Sequence, residues 1–114
     1  MFRIDIKDET VHFKFISNEF YVLSKLIFRL YEQYDVIPTV TSADDGDHVY
    51  NSWHYKGLAW DWRIWGLSNP KTVADELRHQ LQAIDYHYDV IFGDEDHKDH
   101  IHTEYDLNKK PDAL

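Results

Sequence analysis

Apolar and polar residues change period several times along this chain, and each change predicts an element. FRIDI and TVHFKFI are two β-rich runs parted by the polar KDE, which predicts a hairpin. Ser17 or Asn18 stands where a helix cap belongs, and Val22, Leu23, Leu26, Ile27 and Leu30 follow at helical spacing. That helix is expected to run to about Tyr34. VIPTVTS reads as a short strand, with Pro38 confining it to an edge or marking its start. ADDGDHVYNS reads as a loop from its turn-forming composition.

The second half is patterned as clearly. In GLAWDWRI, strand alternation sends Leu58, Trp60 and Trp62 to one face and Ala59, Asp61 and Arg63 to the other. LSNPKTVADELRHQLQAI predicts a helix capped by Asn69 with Pro70 in its first position. YHYDVIF is a strand, GDEDHKD a polar loop, HIHTEY a final strand and DLNKKPDAL a tail. There are no repeats, low-complexity segments or linkers. The expectation is a single domain over residues 1–114, of α+β class, with a small mostly antiparallel sheet and two main helices.

Composition narrows the function classes. Hydrophobic residues make up 43% and charged residues 29% of 114, as in a globular domain with a real core. Aromatics reach 16%, which suits a core and equally a cleft for sugars or peptides. Twelve Lys and Arg against 21 Asp and Glu leave a net charge of −9. That argues against nucleic acid and anionic membrane surfaces and favours a monomer. The absence of cysteine removes disulfide and thiolate chemistry. MFRIDIKDET carries charges within its apolar run and is no signal peptide, so cytoplasmic synthesis is expected. No stretch approaches the ~20 apolar residues of a membrane span.

Two stretches carry candidate chemistry. HVYNSWHYKGLAWDW places His54 and Asp61 on either side of Gly57, which lets the chain turn between them. DEDHKDHIHTEYD, read as a strand from His100, puts His100, His102 and Glu104 on one face. Such a face makes a poor core and a good cleft wall. His54, Asp61 and His102 make a His₂Asp set of the kind that holds Zn²⁺ with a position left for water. Zinc lowers the pKa of such a water towards ~7 and polarises a carbonyl. A nearby carboxylate or imidazole can then move the proton to a leaving amine. The same donors would also accept manganese, cobalt or nickel.

Ser52, His54, Gly57, Ala59 and Asp61 spell S-x-H-x-x-G-x-A-x-D, and an H-x-H follows at His100 and His102. The combination resembles the zinc D-alanyl-D-alanine peptidases. That group includes carboxypeptidases, the L-alanyl-D-glutamate endolysins of phages and the related signalling domain of hedgehog proteins. The likeness runs from about residue 39 to 106, and TSADDGDH, SWHYKGLAWDWR and HIHTEYD look like the short phage and bacterial branch. It implies the hedgehog/D-alanyl-D-alanine peptidase fold, with His54, Asp61 and His102 on zinc. It implies peptidoglycan stem peptides as substrate, cut as a carboxypeptidase or as an endolysin-type endopeptidase. The proton carrier it implies is Asp96, Asp99 or His100, with Glu95 behind them. A phage-encoded protein, released at lysis or carried on the virion, also follows from the resemblance. The alternative is a non-catalytic zinc-binding module with a structural or peptide-binding role, as in a phage component.

The other candidates read blandly. His97 sits in a charged loop and reads as solvated. His48 reads as a loop group or a neighbour of a ligand, and His12, His79 and His87 as surface or packing residues. DGD at 45–47 lacks the spacing of a calcium loop. Trp53, Trp60, Trp62 and Trp65 are expected in the core and cleft wall. No nucleophile elbow, P-loop or dinucleotide fingerprint is present.

Overall fold

The computed structural model describes residues 1–43 and 58–111. The elements are β1 (Asp5–Ile6), α1 (Asn18–Glu32), β2 (Thr39–Ser42), β3 (Ala59–Arg63), α2 (Pro70–Ile84), β4 (Tyr88–Ile91) and β5 (His100–Tyr105). They form one sheet in the order β1-β2-β3-β5-β4. β1 runs parallel to β2, and the other neighbours are antiparallel. This is a small α+β fold with two helices and a mostly antiparallel mixed sheet. No helix among the described residues is long and apolar enough to cross a membrane.

Both helices begin where the sequence places them. Ser17 caps α1, its Oγ accepting the Phe20 N–H at 3.1 Å. Asn69 caps α2, its Oδ1 accepting the Thr72 N–H at 3.2 Å, and Pro70 follows where no N–H is needed. The buried side chains Phe20, Leu23, Ile27, Leu30 and Tyr31 form one stripe of α1, and Val73, Leu77 and Leu81 one stripe of α2.

These stripes meet the Trp60 and Trp62 face of the sheet. Phe20 lies 5.1 Å from Trp60 and stacks on Trp62 at 5.9 Å, with the rings 8° apart. Both indoles are essentially fully buried. The indole N–H of Trp62 is satisfied inside the core by Thr103 Oγ1 at 2.9 Å, and Thr103 donates in turn to the Trp60 carbonyl at 2.8 Å. Such a polar link in an apolar layer is stable because every member is paired.

The expected hairpin at the start of the chain does not form. β1 takes its partner from β2, with Asp5 N–H donating to Pro38 O and Lys7 N–H to Val40 O, both at 2.9 Å. After β1, Asp8 builds a turn: its carboxylate accepts the Thr10 N–H at 2.9 Å, and its carbonyl accepts the Val11 N–H at 3.2 Å. The alternation in TVHFKFI is real, since Val11 and Phe13 pack against the core. It reports burial, in a segment that is assigned to no strand among the described residues. The expected loop ADDGDHVYNS lies almost wholly outside the described residues.

Candidate functional site

The opposite face of the sheet carries the candidate chemistry, and strand register assembles it. β3 and β5 are antiparallel neighbours that pair Asp61 with His102, Arg63 with His100 and Ala59 with Glu104. Since side chains alternate across a strand, Asp61, His100, His102 and Glu104 all share the face away from the two tryptophans. Asp61 and His102 are buried there, at 9% and 8% exposure.

His102 is held from both sides. Its Nδ1 lies 2.8 Å from Asp61 Oδ1, and its Nε2 lies 2.6 Å from Glu104 Oε1. Burial alone would lower the pKa of this imidazole, but the hydrogen bonds to Asp61 and Glu104 and the charges of the two carboxylates outweigh it. Together they push the pKa up to about 9.

His100 sits beside this pair with its Nε2 3.6 Å from Asp61 Oδ2. Its Nδ1 is bonded to Asp99 Oδ1 at 2.7 Å. That hydrogen bond, reinforced by the charge of His100, holds the Asp99 carboxyl below the usual carboxylate range. A cleft of about 270 Å³ opens next to His100, lined by Lys7, Thr41, Arg63, Trp65 and Asp99. Arg63 lies over the Trp65 ring at 3.8 Å, a cation–π contact that fixes this wall.

The residues expected in the site are therefore distributed unevenly. Asp61, His102 and His100 come together. Asp99 is 92% exposed at its side chain and reaches the group only through His100. Asp96 is exposed, and its backbone N–H donates to Asp94 Oδ1 at 3.0 Å. Glu95 is 90% exposed and 3.7 Å from Lys98 Nζ. His54, with Ser52, Gly57, His48 and Trp53, lies outside the described residues.

Two residues make contacts in the site that the sequence does not predict. Glu104 holds His102, and its signal was the two-residue step along β5. His97, read as solvated, instead folds inward. Its ring centre is 5.1 Å from that of His102 and 5.5 Å from that of His100.

Among the described residues no group of three or more His, Asp or Glu is arranged to hold a metal ion. Asp61 and His102 nevertheless fit two positions of a His₂Asp set. Two ligand atoms on one tetrahedral zinc stand about 3.3 Å apart, given bonds of about 2.0–2.1 Å. Asp61 Oδ1 and His102 Nδ1 already face each other at 2.8 Å. A carboxylate on the far nitrogen of a ligating imidazole is the usual way of fixing which nitrogen faces the metal, and Glu104 stands there. No protein-family model, no curated protein and no solved structure matches this chain.

Proposed function

We propose that this domain is a zinc-dependent peptidase acting on peptidoglycan stem peptides, with a fold of the hedgehog/D-alanyl-D-alanine peptidase type. The observation that carries the reading is the row Asp61–His102–Glu104, a carboxylate facing one imidazole nitrogen and a second carboxylate holding the other. It stands at the position where the motif around Asp61 and the H-x-H around His102 expect two ligands.

His54, Asp61 and His102 would hold the metal. When bound, zinc supplies a Lewis acid for the scissile carbonyl and for the attacking water. Asp61 and His102 bring their donor atoms together through the β3–β5 register. Glu104 keeps the ring of His102 turned so that Nδ1 faces Asp61. His100 takes a proton at Nε2, and Asp99 on Nδ1 sets which nitrogen is free for that task. The adjoining cleft seats the peptide, with Lys7 and Arg63 suited to an anionic part of the chain and Trp65 offering an apolar plate.

Elemental analysis of protein purified without added metal should find about one zinc per chain. Incubation with purified peptidoglycan should release new amino groups, and a chelator should stop that release. Bound zinc without cleavage of several wall chemistries would favour the non-catalytic binding module. Failure to retain zinc when it is offered would remove the metal reading itself.

A further inference from the structure

A second imidazole, His97, packs beside His102 and His100, and it is built in the same way as His100. His97 Nδ1 is 2.5 Å from Asp94 Oδ1, as His100 Nδ1 is 2.7 Å from Asp99 Oδ1. In both, an aspartate from the same loop occupies Nδ1 and leaves Nε2 as the working nitrogen. This is the arrangement by which a carboxylate orients a catalytic histidine.

The loop that carries His97 is closed on itself. Gly93, at φ +93°, turns the chain out of β4, and its N–H donates to the His97 carbonyl at 2.6 Å. The His97 N–H returns to the Asp94 carbonyl at 3.2 Å, and the Asp96 N–H is bonded to the Asp94 carboxylate at 3.0 Å. The loop is a run of acids and polar residues at the surface. Yet only 21% of this side chain is exposed, and its ring packs on both His102 and His100.

The geometry points to His97 as a second catalytic residue, the acid that protonates the leaving amine while His100 serves the attacking water. The inference rests on the peptidase reading above. In the step, a C–O bond forms between water and the carbonyl carbon, and one water proton passes to His100 Nε2. The C–N bond then breaks with its electron pair on nitrogen, which takes a proton from His97 Nε2. The second water hydrogen leaves the new carboxylic acid as a proton, the free amine takes one proton up from solvent, and exchange with solvent returns His100 to its neutral and His97 to its protonated form. Two separate carriers remove the need for one group to serve both water and amine.

The test is His97→Asn together with His97→Ala. Asparagine can still donate from its side-chain amide to Asp94, so the loop clasp survives while Nε2 is gone. Zinc content, measured by elemental analysis, should match the parent in both variants. Hydrolysis of a stem-peptide amide should fall about 10²–10⁴-fold in both. Hydrolysis of the matching nitrophenyl ester, whose leaving group needs no proton, should stay within about tenfold of the parent, and added imidazole should partly restore His97→Ala on the amide. The inference is overturned if His97→Asn cleaves the amide like the parent, which would make His97 a loop clasp only. It is also overturned if amide and ester fall equally, or if zinc is lost, which would make His97 a ligand. A parent that cleaves neither substrate overturns the peptidase reading, and this inference with it.

Discussion

Asp61 Oδ1 and His102 Nδ1 face each other at 2.8 Å across the β3–β5 pair, on side chains that are both about nine-tenths buried. An aspartate and a histidine placed in this way form an ion pair when the imidazole is protonated. In the proposed zinc site they are two of the three donors. The distinction is testable, because an ion pair needs only the two charges, whereas a metal site needs the donor atoms. Asp61→Ala and His102→Ala should each abolish zinc retention through dialysis, measured by elemental analysis. Either variant holding zinc like the parent would remove that residue from the ligand set.

Glu104 gives a finer test of the same site. It touches His102 and is no proposed ligand. Glu104→Gln keeps a hydrogen-bonding group of the same length but offers Nε2 no charge. Zinc affinity, read by competition with a chromogenic chelator, should weaken about 10–100-fold, the usual effect of losing such an orienting partner. Unchanged affinity would mean that Glu104 only shields the face from water.

Much of this site was legible before the structure, and the reason is strand period. Alternation alone separates Trp60 and Trp62 from Asp61, and Ile101 and Thr103 from His100, His102 and Glu104. Period says nothing about which strands are neighbours. The meeting of Asp61 with His102 depends on β3 pairing with β5 in one register, a long-range choice made by the core on the other face. The same limit explains the missing hairpin: β1 finds β2, distant in sequence, in preference to the adjacent run. His97 was illegible for a different cause. Its inward turn depends on Gly93 at positive φ and on Asp94 bonding both a backbone N–H and the imidazole, features that composition reports only as a polar loop.

At the far end of the sheet, Asp85 should shape stability in acid. Burial raises the pKa of this carboxyl, but the Tyr105 hydroxyl at 2.6 Å and the backbone and imidazole of His87 outweigh it, so the net shift is downward. A carboxylate with a depressed folded pKa contributes stability that is fully present above its unfolded value near ~3.9 and is lost as pH falls through the folded value. Asp85→Asn should therefore be less stable than the parent at neutral pH, with the gap in urea midpoint closing as pH falls below about 4. A gap that stays constant from neutral to acid would mean that Asp85 acts only through its hydrogen bonds as a turn residue.

Thr103 links the two tryptophans within the core. Its hydroxyl accepts from Trp62 Nε1 and donates to the Trp60 carbonyl, and its side chain is fully buried. Thr103→Val keeps the shape and strands the indole N–H without a partner, which costs about 1–3 kcal/mol. Thr103→Ser keeps the hydroxyl and loses one methyl, about 0.8 kcal/mol by transfer. Urea unfolding should rank parent, Ser, then Val. A valine variant as stable as the serine variant would show that packing, and not the hydrogen-bond link, sets the value of this position.

The last prediction concerns the group that takes the proton. The sequence favours Asp96 or Asp99 as the proton carrier, with His100 as the runner-up. Their placement separates them. His100 is three-quarters buried with Nε2 3.6 Å from Asp61 Oδ2, while the Asp99 carboxylate points away to solvent and holds His100 Nδ1. Asp96 is exposed, and its backbone is tied to Asp94. His100→Ala should keep zinc and lose about 10²–10⁴-fold in peptidoglycan hydrolysis, the range for a positioned acid–base group. Asp99→Asn should lose less, since an amide oxygen can still accept from Nδ1 without its charge. Asp96→Asn should stay within a few-fold of the parent. The rates of the three purified variants on one wall preparation decide the order. If Asp96→Asn falls furthest while His100→Ala stays active, the proton passes through the loop carboxylate, and the loop must move towards Asp61 when the peptide binds.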